Sequence, residues 1–262
     1  MSDFGIDLRR EPDGVAWLAL RNRGRLNAVR YEMWEALAAT VTELGDDPAL
    51  RVLVLRGDGD EAFASGADIT EFETRRKDAA SAAVYERTTA RAFAALGACE
   101  RPIVAMIHGV CVGGGLAIAA SADVRIAAAD ARFALPPARL GLGYHYDGVA
   151  RLVGLVGPSA AADLIFSARQ IDAEEARALG LVNQVVPRAD LETVTARYAA
   201  GVAANAPLTI QAAKHAIAET QREGAPDVAA VERMIARCFE SADYAEGVLA
   251  FLEKRRPRFR GE

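Results

Sequence analysis

The sequence has few of the residues that mark several classes of protein. Its 262 residues include three cysteines, too few for a disulfide framework, and no CxxC or Cys/His cluster of the kind that binds a metal. We therefore expect Cys99, Cys111 and Cys238 to be buried apolar residues in a reducing compartment. Aromatic residues make up only 6% of the chain, whereas alanine is abundant, which favours closely packed helices.

Positive charge and long apolar runs are also scarce. The net charge of −5 argues against a broad nucleic-acid-binding surface, and the one basic cluster is the tail, Lys254–Arg260. The first residues contain no apolar signal segment, and no apolar run reaches membrane-spanning length. These features predict a soluble, cytoplasmic protein with neither a nucleic-acid nor a membrane partner.

Short apolar runs alternate with loops and helical patterns in the first part of the chain. The runs predict strands at Val15–Leu20, Val52–Leu55, Ile103–Ile107 and Val124–Ala127. Tyr31–Leu44 carries an apolar stripe at helical spacing. Strands that alternate with helices predict an α/β fold with crossover connections.

Two further segments also predict helices. Thr74–Leu96 is charged and predicts one helix whose aromatic residues face inward. Pro158 is placed to begin a further helix over Ala160–Phe166.

From Asp190 onward the pattern becomes helical. Four helices without intervening strands are predicted, over Asp190–Ala204, Pro207–Arg222, Asp227–Glu240 and Ser241–Arg256. We therefore divide the chain into a core, residues 1–200, and a helical region, residues 201–262. The apolar faces of this region exceed what it can bury alone, so we expect it to dock on the core or on another subunit.

Two loops carry features of a ligand site. Gly113–Gly115 lies between a buried strand and a helix of small residues, where glycine lets the backbone approach a ligand and the first N–H groups are unpaired. A second loop, around Gly66, leads into a helical start that leaves N–H groups free near Ala67. An oxygen with negative charge suits such donors; the alternative is a tight turn that needs glycine.

Taken in order, the motifs resemble those of the crotonase family, also called the enoyl-CoA hydratase/isomerase superfamily. The resemblance covers nearly the whole chain. It rests on LNAV (26–29), AFASGADI (62–69), IHGVCVGGGLAIAASAD (107–123), FALPPARLGL (133–142), ARALGLVNQVV (176–186), APLTIQAAK (206–214) and FLEKRRPRF (251–259).

The resemblance implies a crotonase-like spiral core of repeated ββα units and a C-terminal helical region that makes homotrimers, commonly dimers of trimers. It implies an acyl-CoA thioester substrate, with coenzyme A carried by the substrate and no separate cofactor or metal. The backbone N–H groups of Ala67 and Gly114 match the pair that holds the thioester oxygen, where they would stabilise an enolate.

The resemblance also implies contacts with coenzyme A. In the first loop and the oxyanion loop these fall on Arg25, Leu26, Ala28, Ala64, Ala67, Asp68 and Ile69. Where the family often carries a lysine this chain has Thr70, so Arg25 is the candidate to supply the charge. In the tail, Lys254, Arg255 and Arg256 with Phe259 are candidates to reach a phosphate and the adenine across a subunit boundary. Their alternative role is to complement a helix dipole and aid solubility.

Both catalytic glutamates of the family's hydratases are missing. The matching positions hold Ala117 and Pro137, neither of which can move a proton. Positioned proton transfer is worth roughly 10²–10⁴-fold in rate. The resemblance therefore supports the enolate site better than it supports the addition of water.

Replacement groups are expected in GLGYHYDG. Methylmalonyl-CoA decarboxylase carries a tyrosine at the position matching Tyr144, which would act as a neutral proton donor or an orienting hydroxyl rather than in packing alone. Some other members carry an aspartate at the position matching His145, which could exchange protons near neutral pH or be a surface residue. Asp147 would orient His145 or form a turn with Gly148.

Other polar residues have structural interpretations. Glu71 and Glu73 follow the oxyanion loop and could approach the acyl pocket, but we expect them to be solvated helix residues. His108 and Asp123 are expected to be structural, and His215 receives no role.

Decarboxylation of a malonyl-type CoA ester is the leading hypothesis, because it needs no general base. The alternatives are an enoyl-CoA hydratase or isomerase that uses His145 or Asp147, an acyl-CoA thioesterase, and an acyl-CoA binder without catalysis.

Overall fold

The computed structural model describes residues 3–222 and 224–262, which form ten β-strands and ten α-helices. The strands are β1 (Gly5–Arg10), β2 (Val15–Arg21), β3 (Val52–Gly57), β4 (Ala62–Ala64), β5 (Ile103–Ile107), β6 (Val110–Val112), β7 (Val124–Ala128), β8 (Arg132–Ala134), β9 (Gln170–Asp172) and β10 (Gln184–Val186). The helices are α1 (Tyr31–Asp46), α2 (Phe72–Arg75), α3 (Ala79–Ala98), α4 (Gly114–Ala120), α5 (Tyr146–Ser167), α6 (Ala173–Ala178), α7 (Leu191–Ala203), α8 (Pro207–Thr220), α9 (Val228–Glu240) and α10 (Ala242–Leu252).

The strands make two sheets. The large sheet has the order β1-β2-β3-β5-β7-β10 and is parallel except for the β1–β2 pair. The small sheet has the order β4-β6-β8-β9, with only the β8–β9 pair antiparallel. Three times in succession a strand of the large sheet leads to a strand of the small sheet and then to helix. This repeated ββα core confirms the predicted α/β class.

The central strands of the large sheet are buried on both faces, as their uninterrupted apolar runs predicted. Side chains alternate along a strand, so Leu53 and Leu55 of β3 face the main core while Val52 and Val54 face α7. Helix α7 therefore packs on the large sheet. The boundary that we predicted between the core and the C-terminal helical region, at residue 200, lies within the last turn of this helix.

The predicted single helix over Thr74–Leu96 is wrong. The chain forms the short α2, leaves helical geometry after Arg75 and restarts at Ala79. Asp78 causes the restart, because its carboxylate accepts from the Ser81 N–H while the Ser81 hydroxyl meets the Asp78 N–H, a reciprocal cap. This break gives the segment after Ala67 its own turn of helix before α3 begins.

Helix α5 extends further toward the N-terminus than predicted. Pro158 begins its second half, as expected, but the preceding residues from Tyr146 are also helical. Among the described residues, α5 is the one helix with the length and apolar composition of a membrane span. Gly157, at φ 77° and ψ 165°, interrupts its helical geometry. Each half is therefore much shorter than the ~20 residues that a span needs.

The four predicted C-terminal helices are confirmed, with ends a few residues shorter. Lys214 ties α8 to the core, because its ammonium donates to Asp123 (2.8 Å) and to the Arg101 carbonyl (2.9 Å). Asp123 also accepts from the N–H of Ile103 at 2.7 Å. The structural role predicted for Asp123 is thereby confirmed.

The C-terminal tail folds back on α10. Asp243, buried at the start of that helix, accepts from the N–H groups of Arg260 (2.7 Å) and Gly261 (2.8 Å). Large apolar side chains nevertheless remain exposed on α9 and α10, among them Phe239, Phe251 and Leu252. These helices thus keep apolar surface that the described part of this chain does not cover.

Candidate active site

Two loops meet at the carboxyl ends of neighbouring strands of the small sheet. β4 is followed by the Gly66–Ala67 turn, and β6 is followed by Gly113 and Gly114. A methyl group placed on Gly114 would lie 3.5 Å from the Ala67 nitrogen, and one placed on Gly66 would lie 3.6 Å from the Gly114 nitrogen. The two loops that the sequence singled out therefore form one surface.

The N–H groups of Ala67 and Gly114 are both unpaired. Within residues 3–222 and 224–262, neither group donates a hydrogen bond to a protein atom. Their neighbours are engaged: the Gly113 N–H donates to Ala134, and the Asp68 N–H donates to Val29. Two adjacent free donors form the arrangement that holds an oxygen bearing negative charge.

The glycines beside these donors are required by geometry. Gly113 has φ 55° and ψ −121°, a region that residues with a side chain rarely adopt. A methyl group on Gly115 would lie 2.3 Å from the Ala64 carbonyl oxygen. The glycine run thus lets α4 approach β4 closely, which brings the Gly114 and Ala67 backbones side by side.

The segment before α1 holds the Ala67 loop in place. The Val29 N–H donates to Gly66 (2.7 Å), and the Asp68 N–H donates back to Val29 (3.0 Å), which forms an isolated parallel bridge between Val29 and Ala67. The Ser65 N–H donates to Leu26 at 3.0 Å. The LNAV segment therefore supports the loop along most of its length.

Asn27 is a supporting residue that the sequence analysis missed. It is buried with φ 55°, a left-handed conformation that asparagine tolerates. Its side-chain amide donates to the carbonyls of Asp58 (2.9 Å) and Ala62 (2.8 Å). Both partners lie more than 30 residues away in sequence, so only its place in the LNAV motif signalled its importance.

Glu71 is buried, and the prediction that it is solvated is wrong. Its carboxylate accepts from the Arg30 guanidinium at 2.9 Å and from the Tyr31 N–H at 2.8 Å, and only 6% of the residue is exposed. Arg30 is 41 residues earlier in the chain, so the pair becomes visible only in the fold. Glu73 is exposed, as predicted.

Trp34 and Tyr85 form an aromatic wall beneath the donors. A methyl group on Gly114 would lie 3.2 Å from the Trp34 ring. The indole N–H of Trp34 donates to the Tyr85 hydroxyl at 3.1 Å, and burial raises the pKa of Tyr85 to about 12. Tyr85 therefore stays neutral as part of a rigid aromatic wall. The sequence predicted an inward-facing Tyr85 but not its contact with the donor loops.

Arg76 lies on this wall. Its guanidinium carbon is 4.2 Å from the Tyr85 ring centroid and 4.5 Å from that of Phe72. Its Nε is buried without a hydrogen-bond partner, and among the described residues no carboxylate lies within ion-pair distance. Stacking of this kind is worth ~0.5–2 kcal/mol. The cation is thus retained by aromatic faces rather than by a carboxylate.

The GLGYHYDG loop places its three candidates in different surroundings. Tyr144 is half-buried against the main core, and burial raises its pKa to about 12, so its hydroxyl remains protonated. His145 is exposed at the start of α5, with Nε2 3.5 Å from a Glu86 oxygen on α3. Asp147 is exposed in the first turn of α5. The carboxylate beside His145 is therefore Glu86, which the sequence analysis missed, and not Asp147.

Comparison with known proteins matches this chain to one family along its length. The sequence model described as Enoyl-CoA hydratase/isomerase matches residues 10–262. This protein belongs to that family.

Individual relatives cover nearly the whole chain. A crotonyl-CoA hydratase from Syntrophomonas wolfei is 32% identical over 260 residues, 99% of each chain. A methylmalonyl-CoA decarboxylase from Escherichia coli is 31% identical over 245 residues, 92% of each. The crystal structure of an enoyl-CoA hydratase/carnithine racemase from Magnetospirillum magneticum superimposes with a TM-score of 0.94 at 36% identity, covering 100% of this chain and 97% of the other.

As a member of the enoyl-CoA hydratase/isomerase family, this protein is an acyl-CoA enzyme. The assignment of Ala67 and Gly114 as its oxyanion donors stays a prediction. At the positions where the resemblance places hydratase glutamates, Ala117 lies half-buried on α4 and Pro137 opens a short 3₁₀ turn. The carboxylates that follow Ala67 in sequence are engaged in other contacts: Asp68 accepts from Thr70, and Glu71 pairs with Arg30.

The predicted coenzyme A contacts divide by exposure. Arg25, Leu26 and Ile69 are exposed beside the Ala67 loop. Ala28, Ala64 and Asp68 are buried, and Asp68 lies 3.9 Å from the Arg25 guanidinium. Ala67 is half-buried between the two groups. The exposed residues form a rim beside the Ala67 loop, and all seven assignments stay predictions.

The tail residues do not join this rim within one chain. Lys254 is exposed after α10, whereas Phe259 is half-buried and lines an apolar groove of about 710 Å³ between α8, α9 and α10. Arg255 is held by Glu246 and Glu253. The bonds that Glu246 accepts from the Arg255 guanidinium and from the Arg258 N–H lower the pKa of Glu246 to about 2. Contact of Lys254 and Phe259 with coenzyme A across a subunit boundary stays a prediction.

Proposed function

We propose that this enzyme decarboxylates a malonyl-type CoA ester. The observation that carries the proposal is the pair of free N–H groups at Ala67 and Gly114. Their site offers no side-chain carboxylate at the two positions where the family's hydratases place theirs. A carboxylate there would repel the carboxylate of a malonyl-type substrate. The identity to methylmalonyl-CoA decarboxylase supports this choice, although hydratases are also among the relatives.

The reaction needs no general base. The bond between Cα and the carboxylate breaks, carbon dioxide leaves, and the electron pair passes into the thioester as an enolate. The Ala67 and Gly114 N–H groups stabilise the resulting oxyanion, and one such donor is worth ~2.7–4 kcal/mol. A proton added at Cα then gives the shortened acyl-CoA.

Tyr144 is the first candidate to assist this sequence. Because burial holds its pKa near 12, its hydroxyl can donate a hydrogen bond to the substrate carboxylate or a proton to the enolate. His145 is the second candidate, because its imidazole is exposed and a proton can pass between it and the solvent.

The test is incubation with malonyl-CoA and methylmalonyl-CoA while carbon dioxide and the acyl-CoA products are measured. We expect carbon dioxide release well above background, reduced in Tyr144→Phe. The absence of release, or a Tyr144→Phe enzyme equal to wild type, would overturn the reaction or the role of Tyr144 respectively. In the same assay, free coenzyme A would indicate a thioesterase, and binding without turnover would indicate a binder.

Hydration or double-bond isomerisation of an enoyl-CoA is the second candidate function. The His145–Glu86 pair favours it, since a carboxylate beside an imidazole makes a proton carrier. Crotonyl-CoA consumption that is lost in both His145→Ala and Glu86→Gln would select this reaction.

We also propose a homotrimer or a dimer of trimers. The exposed apolar residues of α9 and α10, including Phe251 and Leu252, support it because such surface is usually covered in the assembled protein. Light scattering after size exclusion tests this, and a monomeric mass would contradict it.

A further inference from the structure

Arg76 differs from the other arginines that stack on aromatic rings in the described part of the chain. Arg9, Arg30 and Arg75 each stack on one ring, and each also pairs with a carboxylate, on Glu11, Glu71 and Glu32 respectively. Arg76 stacks on two rings, yet it has no carboxylate partner among residues 3–222 and 224–262. A half-buried guanidinium in this state has an unused capacity to bind an anion.

Direct contacts connect Arg76 with one of the oxyanion donors. The guanidinium lies on the Tyr85 ring, the Tyr85 hydroxyl accepts from Trp34, and the Trp34 ring lies directly beneath Gly114. This aromatic wall therefore runs from the place of the thioester oxygen to the cation.

The chain itself connects Arg76 with the other donor. Phe72, the second ring beneath the guanidinium, follows Ala67 by five residues, and Arg76 ends the single turn of α2. The buried Glu71–Arg30 pair fixes this segment against the start of α1. Arg76 is consequently anchored to both halves of the site.

We propose that Arg76 binds a carboxylate at the end of the acyl group that is remote from the thioester. The substrates would then be CoA esters of dicarboxylic acids, of which malonyl-type esters are the shortest. This inference rests on the proposed binding of the thioester at Ala67 and Gly114. A planar guanidinium can form two parallel hydrogen bonds with a carboxylate, and the Phe72 and Tyr85 rings cover part of the half-buried Arg76 guanidinium.

The kinetic consequence follows from the chemistry of carbon dioxide loss. The carboxylate loses its charge as the carbon–carbon bond breaks, so its bond to Arg76 is stronger in the bound substrate than in the transition state. Arg76→Gln should therefore raise KM for malonyl-CoA with little loss of kcat.

Binding of two inert esters tests the proposal independently of the reaction. Succinyl-CoA and butyryl-CoA both have four acyl carbons, and they differ in a terminal carboxylate against a methyl group. We expect wild type to bind succinyl-CoA at least tenfold more tightly than butyryl-CoA in calorimetry. Arg76→Gln should remove this preference, Arg76→Lys should retain part of it, and the neighbouring Arg75→Gln should leave it unchanged.

Several results would overturn the proposal. Equal binding of the two esters by wild type, or an unchanged preference in Arg76→Gln, would exclude a carboxylate subsite at Arg76. An Arg76→Gln enzyme that loses affinity for both esters alike, or a large part of its thermal stability, would assign Arg76 to the fold. If the preference depends on Arg76 but malonyl-CoA releases no carbon dioxide, the subsite stands and the proposed reaction fails.

Discussion

The Trp34 ring supports Gly114 from below, and the space between the ring and this residue has room for a hydrogen atom but little more. A methyl group at Gly114 would come within 3.2 Å of the indole and 3.5 Å of the Ala67 nitrogen. Glycine is therefore required at position 114 by the lack of space between Trp34 and the Ala67 nitrogen. Its backbone conformation, at the start of α4, is one that other residues adopt.

Gly114→Ala should reduce activity more than stability. The added methyl crowds the space between the donors and displaces either the oxygen or one N–H, with a loss in kcat of the order of 10²-fold. Steady-state kinetics and thermal unfolding measure the two effects. Gly45→Ala is the matched control, because nothing lies within 4 Å of that position in α1; activity should be unchanged and stability raised by ~0.5–1 kcal/mol. Equal activities in the two variants would contradict the geometry.

Glu71→Ala should destabilise the protein. The change leaves the Arg30 guanidinium and the Tyr31 N–H without their shared acceptor, at a cost of ~1–3 kcal/mol. Urea unfolding measures the loss. Glu73→Ala, two residues away and exposed, should change the unfolding free energy by less than ~0.5 kcal/mol. A similar small effect at Glu71 would show that the buried pair contributes little.

His108 should make the protein sensitive to acid. Burial, together with the nearby Arg188 and Arg56, lowers the pKa of His108 to about 4, and its Nε2 has no partner among the described residues. Because this pKa is lower in the folded than in the unfolded state, the contribution to stability is present above pH ~6.5 and is lost as the pH falls toward 4.

The loss due to His108 alone amounts to ~3 kcal/mol across that range. Urea unfolding at several pH values measures it, and His108→Gln should flatten the slope between pH 6.5 and 4. Parallel slopes in wild type and His108→Gln would contradict the prediction.

Asp243→Ala should release the C-terminal tail. The carboxylate accepts from the Arg260 and Gly261 N–H groups. Its loss leaves three tail contacts, which are the Glu246 bond to the Arg258 N–H, the Arg51 bond to the Phe259 carbonyl and the Ala242 N–H bond to Glu262. Limited trypsin digestion followed by mass spectrometry should show faster cleavage within residues 255–260. Glu253→Ala, which removes only an exposed partner of Arg255, should be cleaved much like wild type. Unchanged cleavage in Asp243→Ala would mean that other contacts hold the tail.

The sequence could predict whatever depends on local pattern. The buried runs at Val52 and Ile103 indicate central strands, because both of their faces are apolar. The glycine run indicates a close backbone approach, and the ordered motifs indicate the family. These signals were sufficient for the α/β core, and they singled out the two loops around Ala67 and Gly114 that the structure brings together.

Contacts between distant segments were beyond the sequence. Glu71 looks like a solvated helix residue until Arg30 is brought beside it, and Glu86 has no link to His145 until α3 meets the start of α5. Asp78 did carry a local signal, since an aspartate three residues before a serine can cap a helix, but the charged pattern around it favoured a continuous helix.

The pairing of β4 with β6 has a consequence for how the donor pair can vary. Ala67 follows one of these strands and Gly114 follows the other, and the strands are hydrogen-bonded neighbours. The separation of neighbouring strands, ~4.8 Å, is fixed by the backbone and is nearly independent of side chains. The distance between the Ala67 and Gly114 N–H groups is thus set by the spacing of these two strands. Substitutions elsewhere in the pocket can therefore change which acyl group is accepted without altering that distance.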